Sequence, residues 1–178
     1  MDRTDFAILE ALQNNARLSN KELASAVRLA PSSCLVRVRK LLQGRVLAGF
    51  HARVDPDALG IGLQALIALR LVRHARSEFK SLEAHIHALP EVLALFHVSG
   101  VNDLLLHVAV RDVRHLRDLV VDRLATRAEV ANCETSVIFS LFQKPQLPLY
   151  RALEPEPEPP RRTRKRRQLW SSGRKKAT

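Results

Sequence analysis

Among 178 residues there are only two cysteines, one methionine, one tryptophan and one tyrosine. Cys34 and Cys133 are too few and too far apart for a disulfide scaffold, a CxxC pair or a zinc knuckle. That usage fits a reducing, cytoplasmic compartment. Aromatic residues make up 4% of the chain against 46% hydrophobic residues in all, so the core has to be aliphatic, as in a compact helix-rich or mixed protein. No apolar run approaches the ~18 residues of a membrane span, and the N-terminus lacks the apolar core of a signal peptide. Nothing resembles a phosphate loop, a nucleophile–base pair or a metal cluster. The length allows one or two domains with a proper core.

Acid is scarce where base is plentiful. Residues 1–50 carry 8 basic and 4 acidic groups, residues 51–150 carry 11 and 11, and residues 151–178 carry 10 and 3. The net charge of +11 therefore sits at the two ends, around a neutral middle. This distribution suits a polyanionic partner gripped by the ends while the centre does something else.

The most informative stretch is 31–43. Pro31 is pre-set for a first helical position, and nothing breaks the segment before Gly44. At about 100° per residue, Pro31, Cys34, Leu35, Val38, Leu41 and Leu42 share one arc. The opposite arc holds Ser32, Ser33, Val36, Arg37, Arg39, Lys40 and Gln43, with no carboxylate. Such a face can be a solvated basic surface, or a recognition helix in a DNA major groove. On the second reading Arg37, Arg39 and Lys40 meet phosphates, with Arg45 beyond the helix as a further contact. Ser32, Ser33 and Val36 then approach base edges, Val36 through a thymine methyl.

Two shorter helices precede this one. Phe6, Ile8, Leu9 and Leu12 predict a helix ending near Asn14–Asn15, and Ser19-Asn20-Lys21-Glu22 is a capping box opening another through Val27. Three helices with the last presenting a basic face make a helix-turn-helix domain over residues 1–50. Val46–Val54 alternates weakly and reads as a strand or wing. Residues 51–63 connect to the rest, with Asp55-Pro56 starting a single turn that Gly60 and Gly62 end.

Residues 64–142 read as βαββαβ, a ferredoxin-like α+β sandwich. Its strands are 64–72, 92–99, 104–110 and 130–142. Ser77 caps one helix with inner residues Phe79, Leu82, Ile86 and Leu89. Asp112 caps the other, with Val113, Leu116, Val120 and Leu124 inward. Strand two is apolar on both sides, Ala94, Phe96 and Val98 facing one way and Leu93, Leu95 and His97 the other. A sheet covered on one side only should be wet on the other, so a second copy is the simplest cover and a homodimer is expected.

The N-terminal half resembles the Lrp/AsnC family of bacterial and archaeal transcription regulators. The resemblance is carried by Asp5-x-x-Ile8-Leu9-x-x-Leu12-Gln13, Ser19-Asn20-x-Glu22-Leu23-Ala24, Pro31-x-x-Cys34-Leu35-x-Arg37-Val38-Arg39-x-Leu41 and Gly49-Phe50. Asp55-Pro56-x-Ala58-Leu59-Gly60 continues it, and a looser match runs to about residue 142. It implies a DNA-binding transcriptional regulator, dimeric through its C-terminal domain and assembling to octamers, with a small effector such as an amino acid held between dimers. The matching loop is Gly100-Val101-Asn102-Asp103, whose N–H groups can meet a carboxylate while Asp103 accepts from an ammonium. Thr135 and Ser136 match the family's polar pair on the last strand. Gly100 and Asp103 are equally well explained as makers of a turn, and many relatives carry an aromatic where this chain has Asn102. Two departures concern the recognition helix. Ala30 stands where a capping Ser or Thr is usual, and the glycine after the helix comes one place early, as Gly44-Arg45.

His97 and His107 are placed as possible diagonal neighbours on the dimer face, where packing outweighs a metal site; no metal and no cofactor are expected beyond an effector. After 143 come six prolines and then Arg161–Arg167 and Arg174–Lys176. The Glu-Pro run should be an extended polyproline spacer, and the basic segments either add salt-dependent DNA affinity, fold back on acidic patches, or do nothing. Two other functions stay open on sequence. One is a tetrapyrrole decarboxylase of similar fold using His97, His107 and Arg70; the other is a non-specific nucleoid-compacting protein.

Overall fold

A computed structural model describes residues 1–72, 76–144 and 146–150, with backbone alone for 76–78. The Glu-Pro spacer, the basic run after it and the expected cap at Ser77 lie outside what is described. Two compact units result: residues 1–49 with the 146–150 segment, and Phe50–Lys144.

The first unit is three helices, α1 (Arg3–Asn14), α2 (Asn20–Ala26) and α3 (Pro31–Gln43). Local chemistry starts the first two. Asp2 and Asp5 exchange side chain-to-backbone hydrogen bonds at the start of α1, and Ser19 and Glu22 do so at the start of α2. These capping boxes satisfy N–H groups that a helix start leaves without partners. Helix α3 has Pro31 in its first turn and no side-chain cap from Ala30. Ile8, Leu9, Leu12, Leu23, Ala24, Cys34 and Leu41 form the core between the three. Burying such an aliphatic side chain contributes roughly 1.5–3 kcal/mol, which holds together helices too short to persist alone.

Residues 46–54, expected as a strand or wing, form no strand. A lone extended segment has no ladder partner, and none is supplied among the described residues.

The second unit opens with a 3₁₀ turn at Asp57–Leu59 that ends at Gly60 with a left-handed φ of 74°. It then runs β1 (Leu63–Leu71), α4 (Arg76–His87), β2 (Val92–His97), β3 (Leu104–Val110), α5 (Val113–Asp118) and β4 (Val130–Val137). The strands form one sheet in the order β2-β3-β1-β4, and every neighbouring pair is antiparallel. This is the expected ferredoxin-like topology. Ala65, Ile67, Leu69, Leu104, Leu106 and Val108 are fully buried on the helix side, beneath Leu82, Ile86, Leu116 and Leu124.

The helix after Asp112 departs from the expected face. It is capped by Asp112, but residues Leu119–Leu124 form a π turn, with Ala125 N–H donating to the Val120 carbonyl at 2.8 Å. Leu116, Leu119 and Leu124 are buried and Val120 packs against them, the wider turn bringing Leu119 inward beside Val120, while Val113, in the first turn next to the Asp112 cap, is 70% exposed.

Candidate nucleic-acid interface

On α3, Cys34 and Leu41 are buried and Val38 packs partly against the core, and Ser32, Ser33, Val36, Arg39, Lys40 and Gln43 are exposed; Pro31, Leu35 and Leu42, expected on the core arc, are exposed too, Leu35 at 38% and Leu42 at 37%. Val36 is 64% exposed. Ser32, Ser33, Val36, Arg37 and Lys40 line an open depression of about 780 Å³ together with Met1, Asp2 and Asp5 from the start of α1. Two small hydroxyls, a branched aliphatic side chain and a lysine in its lining suit a base edge flanked by phosphate.

Arg37 is placed differently from its neighbours. Its Nη1 donates to Asp2 Oδ2 at 2.8 Å and to Asp5 Oδ1 at 2.7 Å. The two carboxylates that cap α1 thus also strap α3 to it. The bond from Asp5 N–H and the Arg37 guanidinium both hold the Asp2 carboxyl below the usual carboxylate range. The phosphate role expected of Arg37 therefore has a structural rival.

The ends of α2 and α3 share a feature that sequence reading missed. After α2, Leu29 N–H bonds to the Ala24 carbonyl and Arg28 N–H to that of Ser25. After α3, Val46 N–H bonds to the Leu41 carbonyl and Arg45 N–H to that of Leu42. Both are Schellman closures, whose third-from-last carbonyl is met by a residue just past a left-handed one. Glycine favours that left-handed position, yet it holds Arg28 at φ 56° and Arg45 at φ 52°. Gly44, one place early, sits at φ −75° and makes no use of its freedom. An exposed cation thus stands at each end of the recognition segment at a backbone cost of about 1 kcal/mol. We expect Arg28→Gly and Arg45→Gly each to raise the melting temperature. If these cations meet phosphate, each variant should also lower the salt dependence of DNA binding by roughly 0.9 in log–log slope.

In the second unit Gly100 takes φ 130°, and the loop turns tightly between β2 and β3. Asp103 points back into the fold. Its Oδ2 accepts from Leu71 N–H at 2.8 Å, and its own N–H donates to the Leu69 carbonyl at 2.9 Å. Thr135 and Ser136 are not brought to this loop within one chain. They pair with Ile67 and Leu66, four or more positions along β1 from Leu71, or ~13 Å at strand spacing.

The two histidines expected side by side lie on opposite faces of the sheet. His97 pairs with core-facing Leu104 and its ring meets that of Phe79 with centroids 4.7 Å apart. His107 lies on the other face, where its Nε2 is 2.8 Å from Gln64 Oε1. Antiparallel partners share a face, and the register irregularity between Val92 and Ala94 does not bring the two together. Among the described residues there is no group of three metal-ligating side chains. Burial pushes both thiols, Cys34 and Cys133, upward, so neither is an activated nucleophile.

Comparison with known proteins joins these two units. Residues 1–42 match the AsnC-type helix-turn-helix domain, and residues 64–146 match the Lrp/AsnC ligand binding domain. The chain is 43% identical over 139 residues to the HTH-type transcriptional regulator AldR of Mycolicibacterium smegmatis, covering 78% of this chain and 81% of that one. The chain belongs to the Lrp/AsnC family. It is 34% identical to the leucine-responsive regulatory protein of Haemophilus influenzae, over 78% of this chain and 83% of that one. The crystal structure of the transcriptional regulator NMB0573 of Neisseria meningitidis, in complex with L-Met, superposes with a TM-score of 0.80. That pair shares 32% identity and covers 86% of this chain and 99% of the other. As a Lrp/AsnC regulator the chain binds DNA sequence-specifically and associates with itself. The enzyme reading falls, because both domains match regulators and His97 is on the far side of the sheet from His107 and Arg70. No helix among the described residues is long and apolar enough to cross a membrane.

Proposed function

We propose that α3 reads operator DNA through Ser32, Ser33 and Val36, with Arg39, Lys40 and Arg45 on flanking phosphates and Arg37 mainly holding α3 in place. What carries the reading is the depression that gathers these short side chains on an exposed helix face whose other side is core. Such a regulator works beside the chromosome, in the cytoplasm. The test is binding, titrated with salt, to the protein's own upstream region and to random duplex. Preference for the upstream fragment that survives at moderate salt is the expected outcome. Equal affinity for any duplex would instead favour a nucleoid-compacting protein.

The partner of the open sheet face is a second copy. Leu66, Ala68, Phe96, Leu105 and Ala109 make that face apolar, and Phe96 is 50% exposed in the single chain. Dimers paired there place two recognition helices for two half-sites, and dimers of dimers up to an octamer follow the family pattern.

The effector is an amino acid or similar small molecule bound where copies meet. Support comes from the L-Met complex of the Neisseria regulator and from the spacing within this chain. Since Gly100, Val101, Asn102 and Asp103 lie far along the sheet from Thr135 and Ser136, a site using both needs loop and strand from different copies. Asp103→Ala should cost about 1–3 kcal/mol, because Leu71 N–H loses its acceptor in a part-buried position. Asp103→Asn keeps an oxygen there. It should melt like the parent yet bind amino acids more weakly by calorimetry, and unchanged binding would reduce Asp103 to a turn residue.

A further inference from the structure

Two arginines bracket the recognition helix in a backbone conformation that glycine would adopt more easily. Arg28 closes α2 at φ 56° and Arg45 closes α3 at φ 52°. Both are exposed. Among the described residues neither meets a carboxylate. Glu22, the single acid of α2, is taken up by Ser19 N–H at 2.7 Å, and the first turn of α3 carries no acid. The fold therefore bears strain at Arg28 without using its guanidinium. Strain kept at an exposed charged residue calls for a role outside the fold.

Arg28 stands just before Pro31, beside the end of α3 that carries Ser32, Ser33 and Val36. The turn between α2 and α3 is held from both sides. Leu29 N–H donates to the Ala24 carbonyl at 2.8 Å, Arg28 N–H to that of Ser25 at 3.2 Å, and Asn20 Nδ2 to that of Pro31 at 2.8 Å. The arginine backbone is thus pre-organised, and only its side chain has to settle on a partner. Helix α3 has 13 residues and is about 20 Å long, against a major groove about 12 Å wide. A straight helix of that length leaves the groove floor at its ends, where phosphates are closer than base edges. Arg28 stands at one of those ends and Arg45 at the other.

We propose that Arg28 is a DNA-binding residue outside the recognition helix, a phosphate contact at its entry that complements Arg45 at its exit. Together they fix how deeply and in what register α3 seats, while Ser32, Ser33 and Val36 read the bases. The inference rests on the DNA-reading assignment and adds a contact beyond α3, with its cost to the fold. A phosphate grip carries no sequence information, so it acts on operator and random duplex alike.

The experiment compares the full chain with Arg28→Asn, Arg28→Gly and Arg28→Lys, titrated with salt on the protein's own upstream fragment and on random duplex. Asparagine and glycine both accept a left-handed φ. These two variants should melt no lower than the parent, yet lose about 1 in log–log salt slope on both duplexes. Arg28→Lys keeps the charge and should keep the slope. Arg114→Gln, at an exposed position of the second unit, controls for net charge alone and should leave the slope unchanged. Single methylphosphonates in the operator then locate the contact. One phosphate per half-site should weaken the parent when neutralised and leave Arg28→Asn indifferent; a different one should do so for Arg45→Asn. The parent's slope in Arg28→Asn, or sensitivity to all the same phosphates, would overturn the contact. A slope lost equally in Arg114→Gln would overturn it too, reducing Arg28 to its share of net charge. A lower melting temperature in Arg28→Gly would overturn the strain argument. If the parent showed no preference for the upstream fragment, base reading would fail instead, while the slope on random duplex would still decide Arg28.

Discussion

Arg37→Ala is expected to lower the melting temperature of the N-terminal unit by several degrees and DNA affinity roughly tenfold, with little change in salt slope. The expectation follows from the partners of its guanidinium. One nitrogen bridges Asp2 and Asp5, which are themselves locked into the box that starts α1. Losing Arg37 leaves both carboxylates without their cation and frees α3 to shift against α1, so the reading side chains lose their common frame. A phosphate contact would behave otherwise, reducing the slope by roughly 0.9 while leaving the melting point steady. Asp2→Asn with Asp5→Asn separates the two further. It should reproduce the loss of stability if the strap matters, and leave stability alone if Arg37 works only on DNA. The same cluster sets an acid limit. The Asp2 carboxyl is held down by Asp5 N–H and then Arg37, and Glu22 by Ser19, so both are depressed in the folded unit. Depressed carboxylates contribute stability above their unfolded values, and that contribution drains away as pH falls through about 4 and below. Melting followed by helix signal between pH 7 and pH 3 checks this, with the drop confined to the acid end.

Phe96→Asp should turn the protein into a monomer that still folds but has lost most of its operator affinity. Phe96 is half exposed in the single chain, so a carboxylate there meets water until a second sheet arrives. Pairing two such faces then buries like charges against each other, which opposes association. With only one recognition helix per particle, affinity for a two-half-site operator should fall by about 10²–10⁴, the usual gain from linking two binding modules. Sedimentation and operator titration read the two effects separately. Leu106→Asp serves as the contrast. Leu106 is fully buried on the helix side, and a charge there should unfold the domain outright. A Phe96→Asp protein that remained dimeric would place the interface elsewhere.

Much of this molecule was legible in its sequence because the deciding interactions are local. The box formed by Ser19 and Glu22, the cap from Asp112 and the Pro31 start each depend on residues three or four apart, which a linear reading sees directly. Helix geometry placed the basic arc of α3 and the buried Cys34 and Leu41, whereas Pro31, Leu35 and Leu42 share that core arc and are exposed. The βαββαβ order follows from the strand and helix periods, and with it the need to cover a sheet that is apolar on both sides. Tertiary structure decided the rest. Arg37 reaches carboxylates 32 and 35 positions away, which no local pattern reveals. The π turn at Leu119–Leu124 added Leu119 to the expected inner residues of the last helix, which an ideal 3.6-residue period does not foresee. The wing failed because a strand needs a partner that sequence cannot promise. His97 and His107 parted because face is set by register, and register by pairing across the whole sheet. The sequence by itself determined the helices and the strands of the sheet, and which sides of the sheet are apolar, but not whether the segment at 46–54 finds a partner. Only the packed chain decided which charges meet, because those distances depend on segments folding together from far apart.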